Sequence, residues 1–288
     1  MKAFLLIALV FSLIISLTIL VCRPALAEEL MVVNHPVNTS GLTGLLFTTA
    51  PYTLNPGTTE IAASVLYESS VKPEYTITEY PLSISVGVFH NSEIAIRGSY
   101  YNLQEGPTGT AITERKTGDV EISYKWNFFP PSESSARPAL SLIIAGNFPT
   151  ENNADMKIDA ATHWGAKLGL SAGTEISWSD HILGIYADAN IKGQDPTEKR
   201  LQDIYEIYNA GLLFPISKRQ NLQMLLEYTI VQGHERNTLG GGDYTAFTYG
   251  LRLVGERFNL TMGAQFLHKK TEGYDNSGRV VGLMSMKF

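Results

Sequence analysis

The chain has 288 residues, 44% of them apolar, 17% charged and 10% aromatic, with a mean hydropathy of −0.01. That balance excludes a bundle of membrane helices, which needs several runs of about 20 apolar residues, and the supply of Tyr, Phe, Val, Ile and Leu excludes a disordered chain. A net charge of −6 and a pI near 5.6 argue against nucleic acid as a partner, because such binders usually show a basic patch or a domain pI above about 9.

Met1-Lys2 opens the chain and is followed by an apolar run from Ala3 to Val21, then Cys22-Arg23-Pro24 and Ala25-Leu26-Ala27. A positive start, an apolar stretch and a small-x-small site predict a secretory signal over residues 1–27, cut after Ala27. An uncleaved anchor is the competing reading. Val21 before Cys22 and Arg23 after it argue against a lipidated cysteine. Cleavage would remove Lys2, Arg23 and the single cysteine, taking 22 Lys+Arg to 20 against 28 Asp+Glu, a net charge of −8. The remaining chain has no disulfide or thiol chemistry.

Residues 28–57 do not alternate. Within them, Gly41 to Tyr52 is apolar, Thr-rich and small. The expectation is a periplasmic or plug segment tucked into a lumen, with Leu42, Leu45, Leu46 and Phe47 as the plug residues; a disordered leader is the alternative.

From residue 58 the pattern changes to period 2, as in Glu93-Ile94-Ala95-Ile96-Arg97 and Val120-Glu121-Ile122-Ser123-Tyr124-Lys125-Trp126. Twelve segments follow this rule: 58–69, 78–89, 92–104, 117–129, 137–149, 162–176, 181–193, 203–216, 220–235, 245–256, 258–270 and 277–288. They suit tilted transmembrane strands of about 9–11 residues and are long for a sandwich, whose strands run about 5–6. Short connections (90–91, 130–136, 177–180, 217–219 and near Arg257) alternate with longer polar ones (70–77, 105–116, 150–161, 194–202, 236–244 and 271–276). Together these predict an all-β fold, a 12-stranded antiparallel transmembrane β-barrel of the outer-membrane type over 58–288, with both ends on the periplasmic side. A soluble secreted barrel or sandwich is the competing fold. Alternation back from a terminal Phe288 resembles the signal read by the barrel-assembly machinery. Strand parity breaks between Glu206 and Asn209, which suggests a bulge.

Parity assigns the faces. Ile61, Val65, Ile84, Ile94, Ile96, Ile122, Ile144, Leu168, Leu251, Met262 and Met284 are expected to face lipid. Tyr124, Trp126, Phe128 and Phe288 would form one aromatic rim, and Tyr100, Phe148, Trp164, Phe247 and Phe266 the other. The opposite face carries Glu60, Glu93, Arg97, Glu121, Lys125, Lys167, Asp188, Glu227 and Arg252, the candidate pore lining, together with Glu68, His163 and Lys287. A salt-bridged interior that only holds the barrel in shape is the alternative reading of these charges. Twelve strands about 4.8 Å apart and tilted about 40° give a cylinder roughly 24 Å across, between filled eight-stranded and open sixteen-stranded barrels.

Asn91-Ser92-Glu93-Ile94-Ala95-Ile96, Gly118 to Lys125, Gly146-Asn147-Phe148-Pro149-Thr150, Asn209-Ala210-Gly211-Leu212-Leu213 and Gln223 to Tyr228 carry a resemblance. Over most of 58–288 the chain resembles the outer-membrane transporter family grouped as "MetA-pathway of phenol degradation". Glu151 stands where that family usually has Gly after Pro-Thr. The resemblance implies a channel for small aromatic or apolar compounds. Enzyme motifs are weak: Gly233-His234-Glu235-Arg236-Asn237 only faintly matches a phospholipase pattern, His163 and His181 are separated by a strand and a turn, Gly240-Gly241-Gly242 reads as a flexible loop, and Glu151 to Asp155 lacks the turn Gly and closing Glu of a calcium loop. The expectation is therefore a small-solute channel with no enzymatic activity, no metal and no cofactor, whose partners are outer-membrane lipid and lipopolysaccharide. The alternative is a closed structural barrel acting through its external loops.

Overall fold

The computed structural model describes residues 35–72, 74–106, 112–131, 138–150, 164–178, 181–194, 204–217, 221–233, 242–270, 273 and 275–288. Thirteen strands form one sheet: β1 (Thr59–Val71), β2 (Glu74–Phe89), β3 (Ser92–Glu105), β4 (Ile112–Thr117), β5 (Val120–Phe129), β6 (Ala139–Phe148), β7 (Gly165–Trp178), β8 (His181–Gln194), β9 (Ile204–Pro215), β10 (Leu222–Gln232), β11 (Tyr244–Val254), β12 (Phe258–Lys269) and β13 (Ser277–Lys287).

Every pairing is antiparallel, and β13 returns to β1 from Glu60↔Lys287 to Ser69↔Gly278, closing the ring. Phe288 and Thr59 exchange backbone hydrogen bonds at 2.8 and 3.2 Å and complete the seam. β4 and β5 occupy one place in the wall. Both pair with β3, with registers Tyr100↔Thr117 and Arg97↔Glu121, and Gly118-Asp119 interrupts the ladder between them. The wall is thus a 12-stranded antiparallel barrel closed through β1 and β13, as a bilayer demands, and among the described residues β4 pairs with β3 alone.

Side-chain burial alternates and is inverted relative to a soluble protein. Ile61, Val65, Ile84, Ile96, Leu168, Leu251 and Met262 are exposed on the outer wall, while Lys125 and Arg252 are among the largest fully buried side chains. An apolar exterior that runs round the molecule far exceeds the single patch of a few hundred Å² typical of a soluble monomer. Trp126, Phe128 and Phe288 point outward near one end, and Phe148, Trp164, Phe247 and Phe266 near the other. The first end carries the tight turn His90-Asn91, where Asn91 takes φ 67°, a left-handed conformation that Asn tolerates.

Three expectations need correction. The stretch 70–77 is not a long loop: pairing continues to Val71↔Glu74, so β1 and β2 meet in a tight hairpin. Residues 112–116 of the expected 105–116 loop, with Thr117, form β4. In the β1–β2 hairpin the outward positions Glu74 and Thr76 are polar while Tyr75 and Ile77 pack inward with Tyr101 and Leu103, and β4 is polar at every position after Ile112, so the apolar-outward sequence pattern stops in both places. Third, β9 has no bulge. Its register to β8 and to β10 is unbroken, and Glu206 points away from the lumen-facing set with Tyr208 as its partner at 2.5 Å. Register shifts occur instead at Gly87/Phe89 in β2 and Asn127/Phe129 in β5. The remaining external loops lie largely outside the described residues, as do His163 and His234.

Candidate functional site

Residues 35–54 lie inside the barrel, and the exposed Asn55-Pro56-Gly57 lead to β1. The enclosed residues fold on themselves through bridges Val37↔Thr43 and Gly44↔Thr49, and Gly57 joins the wall through its N–H to the Gly87 carbonyl at 2.8 Å. Leu42, Leu45, Leu46 and Ala50 are buried, and Phe47 packs against the same cluster.

Such an irregular segment leaves many backbone groups without a ladder, and buried ones need partners. The wall supplies them. Glu227 accepts N–H groups from three successive residues, Leu46 and Phe47 at 2.9 Å and Thr48 at 2.6 Å. Glu93 accepts from the N–H of Thr43 and of Leu54, both at 2.9 Å. Asp188 accepts from Thr49 N–H at 2.7 Å, and Glu60 from Val37 N–H at 3.2 Å. Cations and hydroxyls serve the carbonyls. Lys125 donates to those of Thr43 and Ala50, Arg252 to Leu45 at 2.8 Å and Arg97 to Thr39 at 2.8 Å. Ser85, Ser141 and Ser171 donate to Gly41, Pro51 and Thr49. Acids thus meet donors and bases meet acceptors around the whole circumference, and charge-assisted bonds of this kind are about twice as strong as neutral ones.

Glycines shape the seat. A Cβ on Gly211 would lie 2.3 Å from a Leu45 methyl, and one on Gly263 would lie 2.5 Å from a Leu46 methyl. These inward positions lack side chains where the segment's leucines fill the space. Gly41 is required twice over: it has φ 84°, and the Ser83 side chain stands 3.0 Å from where its Cβ would be. Near the short-turn end, His35 stacks on Tyr52 at 4.6 Å, Tyr186 meets both edge-on, and Glu175 holds His35 at 2.5 Å and Tyr186 at 3.1 Å. Burial, with Glu175 nearby, lifts the Tyr52 phenol far above its ordinary value, so this stack keeps a neutral phenol.

Of the candidate lining residues, Glu60, Glu93, Arg97, Lys125, Asp188, Glu227 and Arg252 bond directly to residues 35–57. Glu121 and Lys167 pair with each other at 2.6 Å farther toward the loop end. Glu93 and Lys125, 2.9 Å apart, are both fully buried. Glu68 gathers Lys269, Arg279 and Tyr75, and Lys287 stands 3.9 Å from Glu60. The sequence reading missed Glu79, which holds Arg97, Ser99 and Tyr101, as well as Glu175, Lys269 and Arg279. All four have lumen-side parity and were readable on that ground. The glycine seats carry no sequence signal until the segment's position is known.

Above the segment, toward the loop end, is a cavity of about 200 Å³. Leu42, Phe47 and Thr49 form its floor, and Lys167, Ile207 and Arg279 are among its walls.

The chain does contain a Gly-x-Ser-x-Gly sequence at Gly169–Gly173. It lies mid-strand in β7, not on the strand-to-helix elbow that exposes a nucleophile. Ser171 is buried and donates to the Thr49 carbonyl at 2.6 Å. Among the described residues no group of His, Cys, Asp and Glu is arranged to hold a metal ion.

No family model and no curated protein sequence matches the chain. Among solved structures, an outer-membrane channel from Pseudomonas putida F1 aligns with a TM-score of 0.63 at 10% identity, covering 83% of this chain and 98% of that one. LpxR from Salmonella typhimurium aligns with a TM-score of 0.51 at 11% identity, over 79% of this chain and 99% of that one. At these identities the likeness is one of fold: the chain has the architecture of outer-membrane barrels.

Proposed function

We propose that the protein is an outer-membrane channel for small solutes, closed at rest by residues 35–57 and not an enzyme. The observation that carries this reading is the double character of the lumen wall. Its face is polar and charged, as in a conduit, yet its acids and bases are matched to the backbone of one inserted segment. A barrel needed only as a scaffold could fill its lumen with its own side chains, as smaller barrels do. Here inward glycines such as Gly211 and Gly263 leave that space to a segment that is covalently continuous with the wall through β1.

On this reading the short turns, Phe288 and the exit of the segment face the periplasm, the loop end faces outward, and residues 1–27 direct export. Phe288 would be the contact for the barrel-assembly machinery, and the outer wall would meet lipid and lipopolysaccharide. The strand motifs and the fold likeness together support placing the chain with the transporter family it resembles.

The test is single-channel recording in planar bilayers of the protein and of Glu227→Ala. Three amides lose their shared acceptor in the variant. At about 1 kcal/mol net for each hydrogen bond, the closed-to-open ratio falls roughly a hundredfold, so openings become frequent. An unchanged open fraction, with folding verified by heat-dependent gel mobility, contradicts a closing role for the segment.

A further inference from the structure

We propose that the cavity above residues 35–57 binds a small monocarboxylate with a compact apolar body, of the size of benzoate. This deepens the channel reading by naming the solute class, and it rests on that reading for its role in transport.

Size limits the ligand first. A volume of about 200 Å³ is below the ~300–1,000 Å³ of sites for drug-sized molecules, so the space takes one ring or a short alkyl chain and not an oligosaccharide. The lining then divides by strand. Ile207 on β9, Val231 on β10 and Phe47 from the floor present an apolar surface. Flanking it on the two sides are cations: Lys167 on β7 and Arg279 on β13.

Both cations are held by wall residues, and Arg279 also donates from its second terminal nitrogen to Gln265 Oε1 at 3.0 Å. Glu121 takes Lys167 at 2.6 Å, and Glu68 takes Arg279 at 2.6 Å. An ammonium has three donors and a guanidinium five, so these pairings fix both groups without exhausting them. Among the described residues the cavity has one lining carboxylate, Asp188, and it is engaged from the floor and wall. Its Oδ2 accepts from Thr49 N–H at 2.7 Å, and its Oδ1 from the amides of Asn190 at 2.5 Å and Asn209 at 3.0 Å. A carboxylate ligand meets positioned donors, while a cationic ligand finds Asp188, the one acid among the described lining residues, already occupied. An uncharged hydrocarbon would cover the apolar wall but strip water from two cations without replacing it.

The test uses the full-length protein extracted in detergent, with ligand binding followed by calorimetry and by saturation-transfer NMR. Benzoate is expected to bind saturably, and benzyl alcohol and acetate at least tenfold more weakly, the one lacking the charge and the other the ring. Val231→Trp, which fills the apolar side, should abolish benzoate binding; Ile207→Phe is the second variant should the first fail to fold. Lys167→Gln combined with Arg279→Gln should bring benzoate down to the level of benzyl alcohol. Equal affinity for benzoate and benzyl alcohol, or benzoate binding that survives Val231→Trp, overturns the proposal. The channel reading is scored separately by the conductance of Glu227→Ala. Conductance without benzoate binding removes the site and keeps the channel, and benzoate binding without conductance does the reverse.

Discussion

Glu93 and Lys125 show what a buried charge does in this lumen. Each is fully buried and each touches the other at 2.9 Å, but neither relies on the other alone. Glu93 also accepts two backbone N–H groups, and Lys125 donates to two carbonyls. Desolvating such a pair is expensive, and removing one partner of a buried pair costs about 3–5 kcal/mol because the other is stranded. Lys125→Met is therefore expected to lower the free energy of urea unfolding by that amount in detergent or vesicles; a loss below about 1 kcal/mol would mean that the pair behaves as an exposed one. Period-2 parity was enough to place both residues on the inner face, and the same parity marks Glu79 and Arg279. The pairing could not be read, because parity gives a side chain's direction but not the register that sets Glu93 opposite Lys125 on the neighbouring strand.

The inserted segment and the wall strands fit as one solid. Leu45 sits against Gly211 and Leu46 against Gly263, so the wall lacks side chains where the segment has them. Gly211→Val is expected to push Leu45 off its seat and with it the amides bound to Glu227. Hydrogen exchange at Leu46, Phe47 and Thr48 should quicken at least tenfold, while exchange in β6 and β7 should hold. Unchanged protection at those three amides would show that the leucine contact does not hold the segment. The strands themselves were legible nearly to the residue, since a bilayer outside and polar groups inside impose strict alternation. The pattern failed where the outward positions turn polar: in the β1–β2 hairpin beyond Ser69, where Tyr75 and Ile77 pack inward, and in β4. The break between β4 and β5 at Gly118-Asp119 follows a one-residue change in register against β3, a feature of pairing that one strand's sequence does not contain.

The molecule as a whole is a closed, apolar-sided cylinder around a polar interior that its own N-terminal region occupies. Closure through β1 and β13 ties the start of that region's exit to the terminal Phe288, because Thr59 pairs with Phe288 on one side and the chain leaves Gly57 bonded to Gly87 on the other. Displacing residues 35–57 therefore need not unzip the barrel: the wall ladders do not run through the segment. The most direct measurement is single-channel conductance in planar bilayers of the protein beside a variant lacking residues 35–57, each shown to be folded by heat-dependent gel mobility. The account predicts rare, brief openings for the complete chain and a steady, larger current for the shortened one. Equal currents from the two, or silence from both, would contradict a channel closed by this segment.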